Sequence, residues 1–124
     1  AYEKRTYKIC SMFIINTRAE HDTRPVFDYH NYIDLTDEAR FNEFVDQITK
    51  RSLLVLPDVD IEYGDRFVTL STCSTEFEGS RFVIVARELR EGESVEVDTS
   101  TAKVNSNPLY PEIIYKYQGG SYQE

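Results

Sequence analysis

The chain has no tryptophan, one methionine, four prolines, two cysteines and two histidines among its 124 residues. Two cysteines allow at most one disulfide, which excludes a disulfide-rich scaffold, and a structural bridge is not favoured. The sequence has no zinc-type Cys/His spacing, phosphate-binding glycine loop or serine-nucleophile elbow. No apolar run approaches the roughly 20 residues needed to cross a bilayer. The first residues also lack the apolar segment of a signal peptide, so we expect that any export signal has been removed.

Basic residues are few relative to acidic ones. Fourteen Lys and Arg stand against 22 Asp and Glu, which gives a formal net charge of −8. That charge repels phosphate backbones, so we expect no nucleic-acid partner. The 40% hydrophobic and 13% aromatic content is sufficient for one domain that buries roughly two thirds of its unfolded surface. We therefore assign residues 1–124 to a single domain, with residues 118–124 as a frayed tail.

Residues 6–16 are rich in β-branched and aromatic side chains, contain no Gly or Pro, and predict a strand. Alternation places Tyr7, Ile9, Phe13 and Ile15 on one face and Cys10 on the other. Neither face is strongly polar, which indicates a central strand or one covered on both sides. Cys10 is interpreted as a small buried thiol. Residues 26–29 form a second, weaker strand candidate.

Residues 36–51 have the pattern of an amphipathic helix. Thr36 and the acidic residues after it suit a helix start, and apolar residues recur at helical spacing from Phe41 to Ile48. Lys50 and Arg51 suit the negative end of the helix dipole. We expect this helix to cover a sheet and assign it no chemistry.

A β-hairpin is predicted from residue 66 to residue 86. Residues 63–65 suit a turn, residues 66–73 alternate as a strand, and the polar loop 74–80 leads to the apolar strand 81–86. The strand 81–86 is expected to be buried on both faces. Together with the helix, these elements predict a mainly β fold with one prominent α-helix.

Two further segments have compositions that bear on function. The tyrosine-rich residues 105–117 offer apolar area for docking, which argues against simple disorder. The acidic side chains of Asp58, Asp60, Glu62 and Asp65 could hold a hard cation, but their spacing lacks the pattern of a calcium loop. A solvated face is the favoured interpretation, and no metal or other cofactor is predicted.

Cys73 is the candidate nucleophile because it lies where a strand meets a polar loop. A rigid backbone with an accessible sulfur suits nucleophilic chemistry, in which the thiolate is the reactive form. Arg81 opens the returning strand, so the hairpin brings it close to Cys73. An arginine cannot act as a base at neutral pH, but it can donate hydrogen bonds to a substrate carbonyl or an oxyanion.

The run TLSTC at residues 69–73, followed by Arg81 and the apolar strand after it, resembles the active-site signature of the sortases. The resemblance extends over about residues 6–117. It favours class B, because a substantial helix precedes the cysteine strand. It implies a sortase-like β-barrel with a mixed sheet, here lacking its N-terminal strands.

The resemblance implies a cysteine transpeptidase. Cys73 would attack the threonyl carbonyl of a sorting-signal peptide, and Arg81 would orient that carbonyl. Ser71 and Thr72 would shape the substrate groove, although both also fit an ordinary strand. The implied acceptor is an amine of a peptidoglycan precursor or a pilin. The implied location is the outer face of the cell membrane, with the membrane anchor outside this chain.

The family also uses a histidine as general acid. His21 and His30 are the only histidines, and neither lies in a segment resembling the family's histidine loop. We therefore expect that the chain lacks the histidine-bearing N-terminal half and is weakly active or inactive alone. Its open sheet would then need a complementing segment or a domain-swapped dimer. The alternative function is a non-catalytic module that captures peptides.

Overall fold

The computed structural model describes residues 4–124 as a small α/β protein. Its strands and helices are, in chain order, β1 (Tyr7–Asn16), α1 (Glu38–Arg51), β2 (Leu54–Val55), β3 (Phe67–Cys73), β4 (Ser80–Glu88), β5 (Lys103–Val104) and α2 (Glu112–Gln118). Three short 3-10 turns lie at Ala19–His21, Tyr29–Asn31 and Thr99–Thr101.

The main sheet has the strand order β1-β4-β3, and both of its strand pairs are antiparallel. A second antiparallel pair joins β2 to β5. In residues 4–124 the strands close no barrel, and neither sheet contains a parallel pair. The expected mixed sheet is therefore wrong, and the single expected helix is joined by a second one, α2. The mainly β expectation holds only loosely.

β1 is an outer strand, not the central one that its two apolar faces suggested. A bulge between Ile9 and Ser11 shifts the register with β4. After the bulge Phe13 and Ile15 are buried, whereas Tyr7 and Ile9 lie on the other face and are exposed. The predicted common face is wrong because an extra residue in a strand reverses the alternation beyond it.

The predicted helix is confirmed as α1. Its N-cap is Asp37, whose carboxylate accepts a hydrogen bond from the amide of Ala39 at 2.9 Å. Phe44 and Ile48 face the sheet and join its buried side chains in one core. Ser11 links the two layers, because its hydroxyl donates to the carbonyl of Ile48 at 2.7 Å.

α1 covers one end of β3 and leaves the other open. The ring of Phe67 packs against Phe41 and Phe44, with ring centroids 5.7 and 5.4 Å apart. Further along the strand, the residues from Leu70 to Cys73 are exposed. β3 is therefore a half-covered outer strand. β4 lies in the centre, with Val83 and Val85 fully buried.

The second strand candidate, residues 26–29, is wrong. Residues 26–28 form no strand, and Tyr29 begins a 3-10 turn. Aromatic packing accounts for this conformation, since Phe27 lies between Phe13 and Tyr32, with centroid distances of 6.0 and 5.9 Å. The segment therefore contributes its ring to the core instead of pairing with the sheet.

The acidic stretch after β2 binds arginines of the chain itself. Arg87 is fully buried, and its Nε donates to the carbonyl of Asp60 at 2.6 Å. Its guanidinium also pairs with Glu93, outside the stretch, with Nη2 and Oε2 2.6 Å apart. Arg90 joins Asp60 and Asp65 at 3.1 and 2.8 Å. No group of three or more metal-binding side chains is present in residues 4–124. These contacts therefore fix the position of residues 58–65, the segment that leads into β3.

The C-terminal segment docks mainly through Leu109 and Ile114, which are buried, whereas Tyr117, one of the tyrosines expected to provide docking area, is exposed. The final residues, for which the sequence indicates fraying, also make contacts. The amide of Gln123 donates to the side-chain oxygen of Asn107 at 2.9 Å. Within the described residues, neither helix has the length and apolar character needed to span a membrane.

Candidate functional site

Cys73 and Arg81 lie directly opposite one another on β3 and β4. The neighbouring pair is hydrogen-bonded, because the amide of Ser74 donates to the carbonyl of Ser80 at 3.1 Å. Cys73 and Arg81 therefore form a non-hydrogen-bonded pair, in which both side chains project from the same face and the Cα atoms are about 4.5 Å apart. The juxtaposition expected from the sequence is present.

The thiol and the guanidinium are both available to a ligand. Cys73 is a free, exposed cysteine. Arg81 is partly exposed, and within residues 4–124 its side chain has no hydrogen bond or ion pair. Most other arginines of the chain bind a carboxylate or a carbonyl. The site thus combines a nucleophile with a donor that is not occupied by another residue.

Hydrogen bonds within the loop between β3 and β4 hold Cys73 and Arg81 in place. The hydroxyls of Ser74 and Ser80 are 2.7 Å apart, and that of Ser80 also donates to the carbonyl of Ser74 at 3.0 Å. The hydroxyl of Ser74 hydrogen-bonds Glu76 and lowers the pKa of that carboxyl. Phe77 is buried beneath the loop. These contacts fix the two ends of the hairpin at the candidate site.

The same loop is also anchored to the segment that follows β1. Thr17 donates twice to the carbonyl of Gly79, from its amide at 3.1 Å and its hydroxyl at 2.6 Å. Arg18 pairs with Glu78 at 2.7 Å. The ring of His21 meets that of Phe77 edge-on, with centroids 5.6 Å apart. The loop is therefore bound on two sides, and sequence reasoning did not indicate this second anchor.

Two grooves approach the pair on its face of the sheet. One, of about 420 Å³, is bordered by Arg81, Ile15, Phe27 and the 3-10 turn at Tyr29–Asn31. The other, of about 870 Å³, is bordered by Thr69, Ser71 and the same turn. We call them the Arg81 groove and the Ser71 groove. Since Ser71 precedes Cys73 by two residues on one face, the thiol is flanked by groove-lining side chains on both strands.

The structure separates the two residues predicted to shape the substrate groove. Ser71 lies on the face of Cys73 and lines the Ser71 groove. Thr72 projects from the opposite face, because alternate residues of a strand point in opposite directions. Its hydroxyl donates to the carbonyl of Cys73 at 3.4 Å. The Thr72 side chain therefore borders neither groove in the described part of the chain, and its predicted role stays a prediction.

The two histidines have different surroundings, and no hydrogen bond joins either ring to Cys73 in the described part of the chain. His30 borders both grooves. Its ring stacks on Tyr29 with centroids 4.2 Å apart, and Nδ1 lies 3.1 Å from Asp28. The Nδ1 atom of His21 is buried without a partner among the described residues. The sequence could not indicate the position of His30, which depends on the packing of Phe27.

Cys10 is partly buried in the sheet, and its thiol donates to the carbonyl of Val85 at 3.4 Å. Burial raises the pKa of the Cys10 thiol to about 12, although the nearby Arg87 acts in the opposite direction. The thiolate form of Cys10 is therefore scarce at neutral pH. Cys10 therefore offers an internal comparison for the reactivity of Cys73.

Comparisons of the chain with protein families, with curated proteins and with solved structures each gave no match.

Proposed function

We propose that the chain carries the nucleophile and the carbonyl-binding arginine of a class B sortase-like cysteine transpeptidase. One observation carries the proposal: an exposed thiol, Cys73, lies opposite Arg81, whose guanidinium has no partner among the described residues. The resemblance of residues 69–73 and Arg81 to the sortase signature supports the same function.

In the proposed first step, an extended peptide lies in the grooves with its threonyl carbonyl accepting hydrogen bonds from Arg81. The Cys73 sulfur attacks the carbonyl carbon, and the C–N bond to the next residue breaks. The thiol proton ends on the departing amine, and a thioester joins the peptide to Cys73. Arg81 stabilises the oxyanion that forms between these states.

In the second step, an amine of a peptidoglycan precursor or a pilin attacks the thioester carbon. The C–S bond breaks, a new amide forms, and a proton from the amine returns to sulfur. The two steps together exchange one amide for another and need no oxidant or cofactor. The reaction would take place at the cell surface, where such acceptors occur.

Proton transfer to the leaving amine limits the rate at which this chain forms the thioester. A general acid that protonates the leaving amine contributes typically 10²–10⁴-fold, and in the resembling family it is a histidine. Neither His21 nor His30 is hydrogen-bonded to Cys73. We therefore expect slow thioester formation by this chain and faster reaction when another polypeptide segment supplies a histidine beside Cys73.

The same observation favours a second candidate, a module that binds peptides without cleaving them. Both candidates use the Ser71 and Arg81 grooves, and they differ only in whether a covalent bond forms. The binding module predicts peptide binding that is unaffected by Cys73→Ala and no adduct after long incubation.

Mass spectrometry separates the two functions. The chain is incubated with a blocked peptide that contains a central threonyl bond, and the intact mass is followed. The transpeptidase predicts a thioester adduct on Cys73 that disappears when hydroxylamine is added as the acceptor amine. Cys73→Ala removes the adduct and Cys10→Ala retains it. An adduct that persists in Cys73→Ala contradicts the proposed function.

A further inference from the structure

A cavity of about 450 Å³ lies between residues 24–32, helix α1 and residues 122–124. Four of its lining side chains are basic: Arg24, Arg40, Lys50 and Arg51. The chain as a whole has a formal net charge of −8, so this local concentration of cations contrasts with its overall composition. We call this site the basic cavity.

Three of the four cations rest on aromatic rings. The guanidinium carbon lies 5.7 Å from the ring centroid for Arg24 over Tyr122, 4.1 Å for Arg40 over Tyr32 and 4.4 Å for Arg51 over Phe27. Such contacts occur roughly once per 70–80 residues, so about two are expected in a chain of this length. The three found in residues 4–124 all border the same cavity. A guanidinium stacked on a ring keeps its N–H groups at its edge, where they can bind a planar anion.

Arg51 has no carboxylate partner within residues 4–124. Its Nη1 donates to the carbonyl and the side-chain oxygen of Gln47, at 3.2 and 2.5 Å. Its Nε and Nη2 make no hydrogen bond in the described part of the chain. Neither atom is sealed off, because the one buried side-chain polar atom without a partner there is Nδ1 of His21. Arg51 therefore presents free N–H groups to the cavity that it lines.

Capping of α1 does not account for these free N–H groups. The carbonyls of Ile48 and Lys50, in the last turn, accept hydrogen bonds from the hydroxyl of Ser11 and the amide of Leu109, at 2.7 and 2.8 Å. The end of the helix is thus supplied with donors from other elements. The remaining N–H groups of Arg51 are available to a ligand.

The charge of Arg51 is incompletely compensated by the protein. Partial burial lowers the pKa of Arg51 to about 10, and the nearby positive charge of Arg24 acts in the same direction. Both arginines also border a second, smaller cavity, which places their guanidiniums on a common wall. A partly desolvated cation gains from a charged hydrogen-bond acceptor. An anion between the two arginines would compensate both charges.

Residues 122–124 indicate which kind of anion fits. Glu124 pairs with Arg24, with Oε1 and Nη2 3.1 Å apart, and the ring of Tyr122 lies under the same guanidinium. A carboxylate and an aromatic ring two residues before it are thus seated together at the cavity. The side chain of Glu124 is 77% exposed, and an exposed ion pair contributes little. Another carboxylate can therefore replace it.

We propose that the basic cavity binds an acidic peptide, whose carboxylate lies between the guanidiniums of Arg24 and Arg51 and displaces Glu124. An aromatic side chain of the peptide takes the place of Tyr122. A singly charged carboxylate suits the cavity better than a dianionic phosphate, because Asp28 and Glu43 also line it and repel a second negative charge.

This inference does not rest on the proposed transpeptidase chemistry. The basic cavity and the Arg81 groove share only the residues 26–28. Neither Cys73 nor Arg81 lines the basic cavity. Cys73→Ala is expected to abolish the thioester and to leave binding of the acidic peptide unchanged. The two proposals can therefore fail separately.

Titration of the full chain with the blocked tripeptide acetyl-Tyr-Gln-Glu-amide tests the site, with NMR of the arginine Nε–H groups as the measurement. The signals of Arg24 and Arg51 should shift, whereas that of Arg18, which pairs with Glu78, should not. The matched peptide acetyl-Tyr-Gln-Gln-amide lacks the carboxylate. It should bind about tenfold more weakly, because hydrogen bonds to charged groups are the stronger class.

Substitutions in the cavity test the assigned residues. Arg24→Gln and Arg51→Gln should each weaken binding of the acidic peptide by about tenfold. Lys103→Gln removes an exposed positive charge outside the cavity and should leave the affinity unchanged. Glu124→Gln removes the internal competitor and should strengthen binding. Circular dichroism shows whether each variant is folded, and Arg24, whose side chain is 35% exposed, tolerates substitution if Arg51 does not.

Three results would overturn the inference. These are equal binding of the two peptides, unchanged affinity in both Arg24→Gln and Arg51→Gln, and tighter binding of inorganic phosphate than of the acidic peptide. Benzoate distinguishes a peptide from a small free carboxylate, because it carries a ring and a carboxylate without a peptide backbone. It should bind more weakly than the acidic tripeptide, and equal affinity would overturn the assignment of the cavity to a peptide.

Discussion

Cys10 and Cys73 lie on the two outer strands of one sheet, and their thiols have opposite surroundings. The thiol of Cys10 is partly buried and contacts the carbonyl of Val85 at 3.4 Å, whereas Cys73 is exposed beside Arg81. Burial raises the pKa of Cys10 to about 12. The chain therefore contains its own internal control for thiol reactivity.

We predict that iodoacetamide at pH 8 labels the folded chain once, at Cys73. Labelling of Cys10 should be at least about tenfold slower, because its thiolate is scarce and its sulfur is shielded. Intact mass and peptide mapping measure both rates. Cys73→Ala should abolish the fast phase and Cys10→Ala should retain it. Equal labelling rates at both positions in the folded chain would contradict the shielding of the Cys10 thiol.

A pair of glycine substitutions tests how the β3–β4 loop is anchored. Gly79 has φ of +85°, and a Cβ there would meet the hydroxyl of Thr17 at 3.0 Å. Gly64 has φ of +100° but open space around it. Alanine at either position adopts the left-handed region, which costs about 1–2 kcal/mol. Only Gly79→Ala also separates the loop from Thr17.

Gly79→Ala should therefore lower the free energy of unfolding more than Gly64→Ala, by about 1 kcal/mol beyond the shared backbone cost. Urea denaturation measures both values. If the loop anchor positions Arg81 opposite Cys73, only Gly79→Ala should also slow formation of the peptide thioester. Equal effects of the two substitutions on stability would indicate that the contact with Thr17 contributes nothing.

The hairpin and α1 could be predicted from the sequence because each has a local signal. Alternation in residues 66–73, the turn at Gly64 and the polar and acidic residues 36–38 act over a few positions, although the N-cap is Asp37 and not Thr36. The proximity of Cys73 and Arg81 follows from the pairing of the hairpin strands alone. This part of the candidate site needs no knowledge of the remaining fold.

The missed features depend on distant parts of the chain. A bulge near Cys10 changes which residues of β1 face the core, and nothing in the local alternation marks it. Phe27 packs against Phe13 and Tyr32 instead of joining a strand. The exposure of Leu70 depends on which face of β3 the rest of the fold leaves uncovered, which no local pattern specifies.

Acid sensitivity should reveal the ion pair of Arg87 and Glu93. Hydrogen bonds from Arg87 hold the pKa of Glu93 far below its ordinary value. At a pH between the lowered pKa of Glu93 in the folded chain and its ordinary pKa in the unfolded chain, the unfolded chain binds more protons than the folded one. The stabilisation is therefore complete above about pH 5 and declines as the pH falls further.

We predict that Glu93→Gln lowers the melting temperature at pH 7 and makes the loss of stability below pH 5 shallower than in the unmodified chain. Arg87 is fully buried, so loss of its charged partner leaves a buried cation without compensation. Glu91→Gln, at an exposed neighbouring position, is the control and should have little effect. Parallel acid profiles for the unmodified chain and Glu93→Gln would contradict this role.

The substitution of Arg81 separates binding of the substrate carbonyl from reactivity of the thiol. Arg81→Gln should reduce thioester formation with the threonyl peptide by about 10²–10³-fold, the usual effect of removing one oxyanion donor. Arg81→Lys should restore part of the rate, since an ammonium donates hydrogen bonds but lacks the planar fork of a guanidinium.

Two controls make the Arg81 result specific. Lys103→Gln removes one exposed positive charge on β5 and should leave the rate unchanged, which excludes an effect of net charge. The rate of iodoacetamide labelling at Cys73 in Arg81→Gln should change by less than about tenfold, because this reagent presents no carbonyl at the attacked carbon. If Arg81→Gln formed the thioester at the rate of the unmodified chain, Arg81 would have no part in the chemistry. The position of Arg81 opposite Cys73 would then reflect strand pairing alone.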